Sequence, residues 1–194
     1  RAVSGDPIPW KSAQLFVPQI DAWGPKGHRG GDDNEPQDAM NYTDAMALMR
    51  DHRAKRQSAM YQISPSVVPA QAGKHPLNVG GHAVYSEFFP MLDVPFLYGS
   101  GWNAQDDAQR AAVVVISSKL NEKLFGAVNS VGKTVNIEGK DYRVSGVLDN
   151  WNPQPRFYDV VNTGGFSEQV EDVFLPFERA IAMGIPNDGN TNCS

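Results

Sequence analysis

Two glycine-containing stretches of this sequence have residue types that could hold a phosphate. Gly132-Lys133-Thr134 looks like the end of a phosphate-binding loop, where backbone amides wrap an anion and a lysine reaches the outer phosphates. That pattern asks for another glycine five residues before Gly132, and Ala127 stands there. It also needs a helix after the lysine, so that free amides point at the anion, whereas Thr134-Val135-Asn136-Ile137 alternates like a strand. Gly99-Ser100-Gly101-Trp102-Asn103-Ala104 fits a loose dinucleotide pattern, G-x-G-x-x-A. Such a fingerprint follows a buried strand and opens a helix. Here Pro95-Phe96-Leu97-Tyr98 before it and Asp106-Asp107 after it read as a tight turn in a solvated loop.

The hydrolytic and metal patterns fare no better. His28, His52, His75 and His82 have neither H-x-x-x-H nor H-E-x-x-H spacing and no cysteine nearby. They read as scattered surface or loop residues, with His28, Asp32 and Asp33 able at most to catch a stray divalent ion. Ser117 is the one serine on a strand-to-helix turn, but no Gly-x-Ser-x-Gly elbow surrounds it and helix capping explains it. Asp32-Asp33, Asp106-Asp107 and Glu171-Asp172 are adjacent carboxylates of the kind that solvate loop faces. These residues assign no catalytic group, no metal and no cofactor.

Trp151-Asn152-Pro153-Gln154-Pro155-Arg156-Phe157-Tyr158 is harder to dismiss. Aromatics on a proline-stiffened loop have the composition of a contact patch, which makes Trp151, Pro155, Phe157 and Tyr158 partner-contact candidates. The competing reading, which the usual burial of large aromatics favours, folds Trp151, Phe157 and Tyr158 over the preceding hairpin as a satellite core.

Positioning any of these needs a framework, and periodicity supplies one. Leu15-Phe16-Val17 reads as a short strand closed by Pro18, and residues 22–40 as a long loop. Tyr42, Ala45, Met46 and Met49 recur at helical spacing, with Asn41 or Thr43 as cap. Met60–Ile63 and Ser66–Val68 form the next strand region, completing β-α-β, and a strand-like run covers Leu77 to Tyr85. A helical turn at Ser86–Phe89 is limited by Pro90. Ala112–Ile116 is the clearest buried strand, followed by a helix from Ser117 to Gly126. Val135 to Leu148 reads as a hairpin turning at Glu138-Gly139-Lys140, and Val173-Phe174-Leu175 as a last strand ended by Pro176. The class is α/β with mixed (α+β) sheets.

Composition bounds the function. Seventeen Lys+Arg against 22 Asp+Glu give a net charge of −5, a surface that repels phosphate backbones, so nucleic acid is not an expected partner. The longest apolar run, Ala111 to Ile116, is far short of the roughly 20 residues that span a bilayer. No charged-then-apolar signal opens the chain. The turn-rich tail at 184–194, with the lone Cys193, and the first residue Arg1 read as a segment cut from a longer polypeptide.

The order of segments from Ala83 onward resembles the MacB-like periplasmic core domain, the extracytoplasmic part of FtsX/MacB-type ABC transporter permeases. The likeness runs through Ala83–Pro95, Gly99-Ser100-Gly101, Ala112–Ile116 and Ser117-Ser118-Lys119-Leu120 to Leu124-Phe125-Gly126. It continues through Val131–Val135, Ile137-Glu138-Gly139, Tyr142–Leu148 and Val173–Pro176, with Asn41-Tyr42-Thr43-Asp44 placed like the family's segment before its first helix. In that family the Gly-Lys-Thr triplet leads into a strand. The resemblance implies a porter-like β-α-β part over residues 1–75, an inserted strand-rich subdomain over 76–183 and a tail at 184–194. The family's returning strand and helix have no counterpart before Ser194, so the reading expects either a minimal member or a chain that continues. Implied too is a non-catalytic periplasmic domain of an inner-membrane permease, relaying ATP-driven motion to cargo or a partner. Its own partners would be the permease's transmembrane helices, a cytoplasmic ATPase subunit or domain, and a periplasmic protein. The alternative is a free-standing periplasmic ligand- or peptide-binding module, and a small hydrolase using Ser117 comes third.

Overall fold

In the computed structural model, residues 42–52, 56–71, 73–151 and 171–185 are described. The chain divides into two compact units, residues 1–55 with 152–168 and residues 56–151 with 169–194. In the first unit the described element is α1 (Tyr42–Asp51), where the sequence placed its first helix. Met46 and Met49 of its apolar stripe are half-buried, while Leu48 and Arg50 are exposed. The expected strand at Leu15–Val17 and the loop at 22–40 lie outside the described residues.

The second unit is built on one nine-stranded mixed sheet. Its strands are β1 (Met60–Ile63), β2 (Ser66–Val68), β3 (Leu77–Asn78), β4 (Gly80–Val84), β5 (Phe96–Gly99), β6 (Val113–Ser117), β7 (Thr134–Ile137), β8 (Lys140–Leu148) and β9 (Glu171–Pro176). They run in the order β1-β4-β9-β6-β8-β7-β2-β3, with β5 paired to β8 as well. β4 runs parallel to β9 and β6 parallel to β8; the remaining pairs are antiparallel. The position 75/76 that divides the sequence reading falls between β2 and β3, which pair through Ser66–Asn78 and Val67–Leu77.

Central strands carry the core because they are apolar throughout. Val113, Val114, Val115 and Ile116 in β6 and Val173, Phe174 and Leu175 in β9 are all buried, as a β-branched run covered on both faces requires. β6 hands over to α4 (Ser118–Phe125), capped by the Ser117 hydroxyl accepting from the Leu120 amide at 3.0 Å and closed by Gly126 at φ 80°. The β7–β8 hairpin pairs Ile137 with Lys140 across Glu138-Gly139, as its alternation predicts.

Four local expectations need correction. The run Leu77–Tyr85 is two strands, β3 and β4. α2 (Phe88–Met91) continues through Pro90, because a proline in the first turn of a helix gives up an amide that has no partner there anyway. β5, α3 (Ala104–Ala108) and α5 (Phe177–Ala182) are too short for periodicity to reveal. The supposed solvated loop at Asp106-Asp107 is α3 itself.

β4 and β9 approach closely at Gly81, where an added Cβ would run into the Val173 carbonyl. Gly132 instead sits at φ 86° with open space around its missing Cβ. Gly81→Ala is expected to destabilise the domain by about 3 kcal/mol through steric overlap in the sheet. Gly132→Ala should cost only about 1 kcal/mol for its left-handed backbone. Urea unfolding followed by circular dichroism measures both.

Candidate functional site

α3 is only five residues long, and local hydrogen bonds fix it. The Asn103 side chain accepts from the Asp106 amide at 2.9 Å, and the Asp106 carboxylate accepts from the Asn103 amide at 3.1 Å. This reciprocal capping box turns the next residue, Asp107, into the protein, where it is 8% exposed. Its carboxylate accepts from the Ser86 amide and from the Trp102 indole N–H, both at 2.8 Å. Burial pushes the Asp107 carboxyl above the ordinary carboxylate range, an effect that outweighs the two donors. A buried indole N–H needs an acceptor, so Asp107 locks Trp102 in place.

Trp102 in turn stands edge-on to Phe89 at 4.9 Å, and Phe89 meets Phe96 at 5.6 Å. These three rings, with Pro90 and Val94, line an open groove of about 660 Å³. Glu87 and Asp93 supply its carboxylates, and Ser86, Ser100 and Asn103 its neutral polar groups. The Arg56 guanidinium bridges Glu87 at 2.8 Å.

A second buried polar pair lies in the sheet. Across the β4–β9 pairing Glu171 lies beside His82, with Nδ1 2.9 Å from Oε2 and side chains 2% and 4% exposed. His82 also stacks on Phe174. The expectation of scattered surface histidines therefore holds for exposed His52 and His75 but not for His82; His28 lies outside the described residues. Glu171 likewise is buried, not a solvated loop carboxylate.

The remaining sequence candidates resolve individually. The Gly132 amide donates to Val144 and the Lys133 amide to Ser130, so the amides a phosphate would need are bound within the fold. Thr134 opens β7 and the Lys133 ammonium sits over the Phe125 ring, 5.3 Å from its centre. Gly99 ends an antiparallel strand, and the capping box occupies the amides at the start of α3. Ser117 donates to Asp172 at 2.8 Å while capping α4. Among the described residues no group of three or more His, Cys, Asp or Glu could hold a metal, and no helix is long and apolar enough to cross a membrane. Trp151 is half-buried, its ring 6.0 Å from both Phe88 and Phe174. Pro155, Phe157 and Tyr158 lie outside the described residues. The groove and Asp107 escaped the sequence reading, although Asn103-x-x-Asp106 carries the spacing of a capping box.

This architecture is that of solved periplasmic and extracellular domains of ABC transporters. The periplasmic region of MacB from Actinobacillus actinomycetemcomitans superposes with a TM-score of 0.52 at 19% identity, covering 72% of this chain and 56% of that one. The extracellular domain of the noncanonic ABC-type transporter YknZ from Gram-positive bacteria gives 0.54 at 19% identity, covering 75% and 67%. At that identity the likeness concerns the fold. The chain belongs to the MacB-like periplasmic core domain family, which it matches over residues 6–191, and it is a periplasmic domain of the ABC transporter permease type. It is also 36% identical over 70 residues to the pyoverdine export ATP-binding/permease protein PvdT of Pseudomonas aeruginosa, and spans 10% of that protein's length.

Two substitutions test the local chemistry. Asp107→Ala strands the Trp102 and Ser86 donors and is expected to cost about 2–4 kcal/mol at neutral pH, with Asp107→Asn milder because one acceptor survives. The folded protein binds the Asp107 proton more tightly than the unfolded chain, so this group makes stability fall as pH rises from the ordinary carboxylate value through the raised one. Asp107→Asn should remove that part of a denaturation profile measured against pH. Ser117→Ala should lower stability by about 1 kcal/mol through the lost cap, and ester turnover by the unsubstituted protein would contradict that purely structural role.

Proposed function

We propose that the domain is a non-catalytic relay in an ABC transporter permease anchored in the cytoplasmic membrane. ATP hydrolysis in a cytoplasmic ATPase subunit or domain moves the transmembrane helices, and the domain passes that movement to cargo or to a periplasmic partner protein. The observation that carries the reading is the family match across residues 6–191. The fold supports it mechanically. The nine hydrogen-bonded strands form a single sheet in the second unit, which a relay would move as one body. The segment from Trp151 to Tyr158 is the proposed contact segment, with Trp151, Pro155, Phe157 and Tyr158 as its contact residues.

Fractionation of the native host, blotted with an antibody to this segment, tests the location. A band well above 21.2 kDa in the inner membrane is expected. A soluble band near 21.2 kDa would overturn the permease reading in favour of a free-standing binding module. The relay is tested in the full-length permease, with its native cysteines replaced, by the distance from a spin label on exposed Lys119→Cys or Leu97→Cys to one on a transmembrane helix. The distance should change between nucleotide-free and ATP-bound states, and unchanged distances from both positions would contradict a relay.

A further inference from the structure

We propose that the groove between α2, β5 and the start of α3 binds a cationic peptide segment, which sets an arginine or lysine on the rim and an aliphatic or aromatic side chain on the floor. The floor is apolar and preformed: Phe89, Val94 and Trp102 are 4%, 7% and 5% exposed, and the Asp107 hydrogen bond fixes the Trp102 ring. A volume of about 660 Å³ accepts several side chains at once.

Charge selects the occupant. Residues 83–109 hold Glu87, Asp93, Asp106 and Asp107, and none of the chain's 17 Lys+Arg or 4 His. Glu87 and Asp93 line the groove itself, and among the described residues that line it there is no cation. The rim already takes a guanidinium from this chain, since Arg56 bridges Glu87 with both side chains 47% exposed. An ion pair so exposed is weak and readily exchanged for a partner's arginine. Exposed Ser100 and Asn103 offer hydrogen bonds to a peptide backbone. The binding surface lies wholly within residues 86–104 and does not depend on the relay.

Nitrogen-15 NMR titration of the 194-residue chain tests the proposal, with the peptide acetyl-Leu-Arg-Phe-Arg-amide as probe and acetyl-Leu-Glu-Phe-Glu-amide as its charge-reversed control. The arginine peptide is expected to shift the Trp102 indole resonance and the amides of Gly101, Asn103 and Ala104 saturably, and the glutamate peptide to leave them in place. Glu87→Lys with Asp93→Lys should weaken binding about tenfold. Arg56→Ala should tighten it about threefold by removing the competing guanidinium, and it leaves the groove's own residues intact. Equal shifts with both peptides, no groove shift at millimolar peptide, or an affinity indifferent to both the lysine and the Arg56 substitutions would overturn it.

Discussion

β9 holds the second unit together. It lies between β4 and β6, parallel to one and antiparallel to the other, so β1 and β4 join the remaining strands of the sheet through its backbone. The His82–Glu171 contact spans 89 residues of sequence, and the ladder beside it closes a loop of similar length. Closing a loop that long costs entropy before any contact rewards it. The compensation is concentrated at Phe174, whose ring meets His82, Phe88, Phe89 and Trp151. The absence of a side chain at Gly81 lets the two backbones approach.

Polar groups buried beside this aromatic cluster add specificity. The His82–Glu171 pair is buried within the β4–β9 pairing, so a slipped strand would break a buried polar contact. Asp107 plays a comparable part for α3, tying the Ser86 backbone and the Trp102 ring to one carboxylate. In both places a polar contact between segments distant in sequence defines one arrangement among several that apolar packing alone would tolerate.

In this periplasmic domain of the transporter permease type, nine strands form one sheet flanked by short helices. The phosphate-like triplet at Gly132 shows how such a fold can mimic a catalytic motif. Its glycine serves a left-handed turn into β7, and its amides are consumed by β8 and by Ser130. The same residue types would bind an anion only if a helix followed.

Local sequence determined the elements whose signals are local. The β-branched run of β6, the Ser117 and Gly126 caps of α4, the β7–β8 alternation and the methionine stripe of α1 were all legible, because each depends on neighbours within a few residues. The ordered series of such segments also carried the family resemblance. Tertiary structure alone decided the rest. That the last strand enters the middle of the sheet, that His82 and Glu171 meet, and that Asp107 is buried under Trp102 follow from contacts between segments far apart in the chain. Periodicity reports which face of an element is apolar, and says nothing of which distant element covers it. The groove is of this second kind: Phe89, Phe96 and Trp102 are ordinary aromatics in sequence, and they form one surface because α2, β5 and α3 pack together.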